Sequence, residues 1–80
     1  MFYVYLLQSQ THLDQNYIGF TSDFKKRLLE HNNGNVTHTA KYKPWKLISC
    51  IAVDNKEKAI SLEKFLKSGS GRLFMNKYLK

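Results

Sequence analysis

Residues 2–8 are dominated by apolar and aromatic side chains at both of their alternating sets of positions. A strand with one face in water alternates apolar and polar residues, whereas a strand covered on both faces does not. The segment therefore predicts a central strand with a layer of structure on each side. In a chain of 80 residues, such a strand must anchor most of the single modest core that the chain can build.

Polar residues and helix-end signals divide the next part of the chain into a second strand and a helix. Residues 9–16 separate the first strand from an apolar run at 17–20, which predicts a hairpin. Asp23 has the carboxylate typical of an N-cap and lies at the positive end of the helix dipole. The helix is predicted to end at residue 31 or 32, where Asn33-Gly34-Asn35 stops it.

The second half of the chain predicts one more strand and two more helices. The order ββαβαα is that of an α+β domain with a three-stranded antiparallel sheet flanked by helices. No repeat or linker divides residues 1–80, so a single domain is expected. The remaining predicted elements are a loop at 35–44, a strand at 45–53, a helix at 55–67 opened by a capping box of Asp54 and Glu57, a break at 68–71 and a helix at 72–79.

The charge balance favours a polyanionic partner. The chain has 13 Lys and Arg against 6 Asp and Glu, a net charge of +7 at pH 7. Nucleic acid is the commonest polyanion for such a protein, and a lysine-rich surface without a specific ligand is the alternative. The residues expected to contact nucleic acid through charge or base stacking are Lys41, Tyr42, Lys43 and Trp45.

The cysteine and histidine positions argue against a disulfide-stabilised protein and against a structural zinc protein. Cys50 is the sole cysteine, so no internal disulfide forms, and its apolar neighbours predict a small buried side chain. The three histidines, at 12, 31 and 38, do not have the spacing of a structural zinc site. The first residues lack the basic lead and the length of a signal or membrane segment, which predicts a cytoplasmic protein.

Two polar side chains border the apolar stripe of the first predicted helix. At about 100° per residue, Phe24 and Leu28 define the stripe, and Arg27 and His31 lie on one side of it. Arg27 is either a functional group or a residue that lays its aliphatic stem on the edge of the core. His31 is either functional or a helix-end histidine favoured by the C-terminal dipole.

One carboxylate, Glu63, borders the apolar stripe of the next predicted helix. A carboxylate at the edge of a core in a basic protein suits a divalent cation. The alternative is an ion pair with Lys67, four residues later, which contributes about a few tenths of a kcal/mol. The predicted stripe consists of Ala59, Leu62, Phe65 and Leu66.

Two tyrosines are candidates for a shared position on the hairpin. Tyr5 and Tyr17 lie opposite or nearly opposite each other on one face if the connecting loop has an odd number of residues. The sequence leaves this parity open. Both side chains can also be core aromatics whose hydroxyls reach solvent.

Together these residues resemble a known family. Tyr3-Val4-Tyr5, then Tyr17-Ile18-Gly19, an arginine ten residues after Tyr17 and a glutamate in the next helix are similar to the motifs of the GIY-YIG nuclease superfamily. Its members include the incision subunit of bacterial nucleotide-excision repair and phage homing endonucleases, and this chain most resembles the small stand-alone members. The resemblance covers nearly all of the chain. It implies an endonuclease acting on DNA, with DNA repair as an expected process and RNA as an open possibility.

The resemblance also implies a role for each matching residue. Tyr5 and Tyr17 correspond to the two motif tyrosines, one of which is the general base, and nearby positive charge is expected to lower its pKa. Gly19 lets another group approach the strand closely. The other matches are Arg27 as a clamp on the phosphate, His31 as a residue that holds or relays the proton, and Glu63 as the ligand of one Mg²⁺ or Mn²⁺.

Two positions depart from the family pattern. Tyr3 stands where the first triplet has glycine, and Phe20 stands where several members carry a lysine that helps to deprotonate a tyrosine. Lys41 and Lys43 are the candidates to replace that lysine. The alternative to an endonuclease is a non-catalytic nucleic-acid-binding module on the same fold.

Overall fold

Three antiparallel strands form the sheet, and the first strand lies at its centre. In the computed structural model, which describes all 80 residues, β1 (Phe2–Ser9) is flanked by β2 (Asn16–Thr21) and β3 (Trp45–Val53). The central position of the first strand, the bounds of the third strand and the α+β order are confirmed. β2 is an edge strand, so the side of β2 that faces away from β1 has no strand partner.

Four helices cover the sheet: α1 (Phe24–Asn32), α2 (Thr37–Ala40), α3 (Lys56–Lys67) and α4 (Gly69–Tyr78). Asp23 caps α1 as predicted, since its carboxylate accepts from the Lys26 N–H at 3.1 Å. Gly34, just after α1, has a φ of +77°, which glycine adopts without strain. The segment predicted as a loop contains the single turn α2. At 12 residues, the longest helix is too short for the roughly 20 apolar residues that cross a bilayer.

The predicted capping box of α3 is wrong by one residue. Asn55, not Asp54, is the N-cap, because its side-chain oxygen accepts from the Lys58 N–H at 2.8 Å. Asp54 instead forms an exposed ion pair with the ammonium of Lys58 at 3.0 Å. An asparagine directly beside an aspartate competes for the same role, and here the asparagine has the required position.

The predicted break between α3 and α4, residues 68–71, is too long. Ser68 alone separates the helices, and its hydroxyl caps α4 by accepting from the Gly71 N–H at 3.1 Å. Gly71 lies inside the first turn of α4, where a Cβ would overlap the backbone of Phe65. The glycine therefore permits close packing between helices and does not end one.

Alternate side chains of β1 build separate cores on the two faces of the sheet. Val4 and Leu6 pack against α3 and α4, whereas Tyr5 and Leu7 pack on the α1 side together with Trp45. One residue of the predicted α3 stripe is not in the core. Phe65 is 43% exposed, and its ring centroid lies 6.0 Å from that of Phe74 in an edge-to-face arrangement. Its assignment to the buried stripe is therefore wrong.

Candidate active site

The two motif tyrosines lie on the same face of the hairpin. Tyr5 is opposite Gly19 in the β1–β2 register, and Leu7 is opposite Tyr17. The tyrosines are therefore diagonal neighbours, with ring centroids 6.1 Å apart. The last β1–β2 pair, Gln8 with Asn16, encloses seven residues, and this odd number settles the parity that the sequence left open.

Glycine is required at position 19 because both tyrosines crowd it. A Cβ on Gly19 would lie 2.6 Å from the hydroxyl oxygen of Tyr5 and 3.0 Å from Cε2 of Tyr17. The predicted close approach to the strand is confirmed, and the groups that approach are the two tyrosine side chains. Gly19 therefore fixes where the Tyr5 hydroxyl lies.

His31 links the Tyr5 hydroxyl to Thr39 in a buried series of hydrogen bonds. Its side chain is fully buried, with Nε2 3.1 Å from the Tyr5 hydroxyl and Nδ1 2.7 Å from Oγ1 of Thr39. The Thr39 hydroxyl donates its one proton to the carbonyl of Val36 at 3.2 Å, so it must accept from Nδ1–H. This assigns the neutral tautomer in which Nε2 is free to accept from the Tyr5 O–H.

Burial keeps His31 neutral. It lowers the pKa of the imidazole below its ordinary value, and the positive charge of Arg27 lowers this pKa further. His31 does lie in the last turn of α1, where the helix dipole favours a positive charge, but desolvation is the largest cause acting on its pKa. A neutral imidazole with an available Nε2 can accept a proton.

The hydroxyl of Tyr5 is held in its protonated form. Burial raises the pKa of Tyr5 to about 12, and the neighbouring Arg27 guanidinium opposes this rise without overcoming it. The expectation that positive charge lowers the pKa of the tyrosine base is therefore wrong for Tyr5. Desolvation is the larger effect because only 3% of the residue remains exposed.

Arg27 lies between this buried series and solvent. Its guanidinium interacts with the Tyr5 hydroxyl, which raises the pKa of Arg27. Nη1 is also 3.6 Å from a carboxylate oxygen of Glu30, and the side chain is 35% exposed. The charged group of Arg27 therefore lies beside the site while about a third of its side chain reaches solvent, which is compatible with both readings of this residue.

Glu63 approaches the site from α3 and has one protein partner. Its carboxylate forms an ion pair with Nζ of Lys67 at 3.3 Å and is 21% exposed. No hydrogen bond joins Glu63 to Tyr5 or Arg27, but its negative charge contributes to the raised pKa of Tyr5. No three His, Cys, Asp or Glu side chains gather into a metal cluster. Mg²⁺ commonly uses one or two carboxylates with water and substrate phosphates, and a single half-buried Glu63 fits that pattern.

The residues predicted to bind nucleic acid differ in exposure. Trp45 is 5% exposed and its indole N–H donates to the Thr39 carbonyl at 2.8 Å, so its predicted role in base stacking is wrong. A large aromatic ring at the start of β3 fills the core instead. Tyr42 is half-buried, with the Lys41 ammonium 5.5 Å from its ring centroid. Lys41 and Lys43 are exposed, and neither is hydrogen-bonded to a motif tyrosine.

Sequence reasoning missed two residues that support the site. Thr39 orients His31, and Asn32 ties the end of α1 to β3 by donating to the Trp45 carbonyl at 3.1 Å and accepting from its N–H. A buried histidine needs a partner for each ring nitrogen, which is the one signal that calls for a residue such as Thr39. No spacing in the sequence identifies that residue, since α2 carries it into place.

Comparisons with known proteins identify the family of the chain. A family model described as the GIY-YIG catalytic domain matches residues 1–78. A UPF0213 protein of Lactococcus lactis subsp. cremoris is 39% identical over 67 residues, covering 81% of this chain and 65% of that protein. A UPF0213 protein of Streptococcus pneumoniae is 38% identical over 66 residues, covering 81% and 65%.

A solved structure shows the same fold. The solution NMR structure of a UPF0213 protein from Bacillus halodurans has a TM-score of 0.56 and 27% identity, covering 96% of this chain and 84% of that one. The chain spans less than two thirds of the length of the Lactococcus relatives, at 65% and 62%. The family match, by contrast, extends over nearly the whole chain and includes Tyr5, Tyr17, Arg27 and Glu63. The chain therefore belongs to the GIY-YIG catalytic domain family.

Proposed function

We propose that the chain is a metal-dependent endonuclease that hydrolyses DNA phosphodiester bonds, with residues 1–80 acting as one nuclease domain. One observation carries this proposal: the hydrogen-bonded series Tyr5–His31–Thr39 ends at a hydroxyl whose pKa is affected by the neighbouring Arg27 guanidinium. A candidate proton acceptor and a candidate phosphate ligand are thus neighbours. A module that only binds nucleic acid needs positive charge, but it gains nothing from a buried neutral imidazole joined to a tyrosine.

The proton acceptor in this proposal is the pair of Tyr5 and His31. Because the pKa of Tyr5 is about 12, the hydroxyl is protonated at neutral pH and no standing tyrosinate is available. The Tyr5 oxygen takes a proton from the attacking water while its own proton passes to Nε2 of His31. The charge that develops on the imidazole is stabilised by Thr39, which accepts from Nδ1–H. This route makes the missing lysine at position 20 unnecessary.

Arg27 holds the phosphate and controls access to Tyr5. Its planar fork matches two non-bridging oxygens, which lysine cannot do. A phosphate competes with Glu30, whose contact at 3.6 Å with the guanidinium is weak and partly exposed. As the guanidinium turns toward the phosphate, it uncovers the Tyr5 hydroxyl. The ring centroid of Tyr17 lies 4.8 Å from that of His31, and in this proposal the Tyr17 hydroxyl contacts the same phosphate.

Glu63 is the residue that would hold Mg²⁺ or Mn²⁺. A divalent cation bound there supplies positive charge that stabilises the leaving oxygen. Glu63 must exchange its 3.3 Å contact with Lys67 for the cation, which is a small loss because the ammonium is half-exposed. Lys67 is then free to interact with substrate.

Replacement of the base is the experiment that tests this function. Labelled single-stranded, duplex and branched DNA are incubated with the protein in the presence and absence of Mn²⁺. Tyr5→Phe keeps the ring that packs on Gly19 and removes only the proton-accepting oxygen, so the rate is expected to fall about 10²–10⁴-fold. Tyr17→Phe, the matched control, is expected to lose less. A larger loss in Tyr17→Phe would make Tyr17 the base, and no cleavage of any DNA by the unaltered protein would leave only the binding module.

Protonation of His31 is expected to lower both the free energy of unfolding and the cleavage rate as the pH falls. The pKa of an unfolded histidine is about 6.5 and that of folded His31 is lower, so between the two the unfolded chain binds more protons. The free energy of unfolding should therefore be fully present above about pH 6.5 and fall as the pH drops toward the folded pKa. Activity should fall in the same direction, because a protonated Nε2 cannot accept from Tyr5.

Urea unfolding as a function of pH measures this effect. His31→Gln should show a smaller loss of unfolding free energy from neutral to acid pH than the unaltered protein does, even though the variant is less stable throughout. His38→Gln, at an exposed position, is the control and should keep the full pH dependence. Identical slopes in the His31 variant and the unaltered protein would show that His31 is not the titrating group.

A further inference from the structure

A second cleft lies beside Tyr17, along the unpaired edge of β2. It has a cavity volume of about 500 Å³ and is bounded by the start of β2, the end of α3 and residues of α4 that include the core residue Met75. Tyr17 lines it, so the cleft opens next to the proposed reaction centre. Lys67, the ion-pair partner of Glu63, lines it as well and connects it to the proposed cation ligand.

The cleft is positively charged, whereas the groove on the other side of the site is not. Its charged side chains are Lys67, Arg72 and Lys80 against a single side-chain carboxylate, Asp14, which gives a net side-chain charge of +2. The groove that contains Arg27 has two cations and two carboxylates, a net charge of zero: Lys26 and Arg27 against Asp23 and Glu30. A polyanion that extends beyond the reaction centre is therefore attracted toward the cleft.

Two of these cations are available to a ligand. The three ion pairs of the structure involve neither Arg72 nor Lys80, and both side chains are exposed. Cations without carboxylate partners can exchange bound counterions for phosphates at little loss. Their chemistry therefore fits an anionic backbone better than a neutral ligand.

The wall of the cleft also carries an unsatisfied polar atom. Oδ1 of Asn16 is buried and has no hydrogen-bond partner, the only side-chain atom of this kind in the protein. A buried acceptor without a donor is unfavourable unless a ligand or water supplies the donor. Oδ1 has almost no accessible surface as the side chain stands, so a nucleotide satisfies it only if the amide turns toward the cleft, where base and sugar offer donors.

We propose that this cleft is a subsite for the backbone phosphates of a single nucleic-acid strand that continues past the reaction centre. The inference rests on the proposed function, since it assigns the cleft to the same substrate. The cavity is too small for a duplex and accommodates nucleotides of one strand. Arg72 and Lys80 contact the phosphates, and Lys67 joins them once its ion pair with Glu63 opens.

Binding measurements without cleavage test the subsite. Fluorescence anisotropy of a labelled single-stranded oligonucleotide is recorded against salt concentration, in the Glu63→Gln background and without divalent metal. The double variant Arg72→Gln/Lys80→Gln should bind roughly tenfold more weakly at physiological salt, and its salt slope should fall by about 1.4, or 0.7 for each lost phosphate contact. The control Lys56→Gln/Lys64→Gln removes the same charge from exposed, unpaired lysines outside the cleft, and should change the slope by less than half as much.

The outcomes separate the subsite from the catalytic proposal. Equal losses in the two double variants would overturn the subsite. Competition by inorganic phosphate as effective as that by the oligonucleotide would also overturn it, because the cleft would then be a site for free phosphate. If the cleft variant loses affinity selectively but the unaltered protein cleaves no DNA with Mn²⁺, the subsite stands and the nuclease proposal falls.

Discussion

Glu63→Gln is expected to abolish DNA cleavage while leaving the fold and the DNA affinity intact. Glutamine keeps the size and shape of a side chain that is 21% exposed, but it removes the charge that would hold Mg²⁺ or Mn²⁺. The only protein contact weakened is the partly exposed ion pair with Lys67, which contributes at most about 1 kcal/mol. Cleavage of labelled DNA in Mn²⁺, anisotropy of DNA binding and thermal unfolding measure the three properties.

Glu57→Gln is the matched control for this prediction. Glu57 is an exposed carboxylate in the first turn of the same helix, so the substitution changes the net charge equally without touching the site. It should keep full cleavage and full metal dependence. Metal-dependent cleavage by Glu63→Gln at the rate of the control would remove Glu63 from the mechanism.

Most of the fold could be predicted from residue patterns within single segments of the sequence. The apolar character of residues 2–8 predicted a strand buried on both faces, and the run at 45–53 predicted the third strand with its observed bounds. Both depend on the period of the side chains along one segment. The start of α4 was not predictable in this way, because Gly69 and Gly71 signal a break locally while Gly71 serves the packing of α4 on α3.

In the candidate site, too, the features that depend on local sequence were predictable and those that depend on tertiary packing were not. The spacing from Tyr17 to Arg27 and the glycine at position 19 are visible in the sequence, and the structure brings these residues together around Tyr5. Thr39 is not visible, because its contact with His31 depends on how the segment after α1 folds back. The direction of the pKa shift of Tyr5 is likewise a property of the assembled core, where burial outweighs the adjacent positive charge.

Arg27→Ala is expected to lower the cleavage rate about 10³-fold or more, in the range of arginines that stabilise phosphoryl transition states. The loss has two physical sources. The phosphate loses a planar donor, and the Tyr5 hydroxyl loses the positive charge that partly offsets the effect of burial on its pKa. Single-turnover cleavage at saturating protein measures the chemical step apart from binding. Lys26→Ala, an exposed neighbour in the same groove, is the control for loss of charge and should change the rate little.

Arg27→Lys separates charge from geometry. Lysine restores a positive charge near His31, and this charge is one of the causes that lower the pKa of the imidazole. The acid limb of the rate profile should therefore move to higher pH in Arg27→Ala and move back toward its original position in Arg27→Lys. The rate should recover little, because an ammonium is a point charge that cannot hold two phosphate oxygens in a fixed plane. Near-normal turnover in the lysine variant would show that Arg27 acts only through its charge, and the bidentate clamp would have to be abandoned.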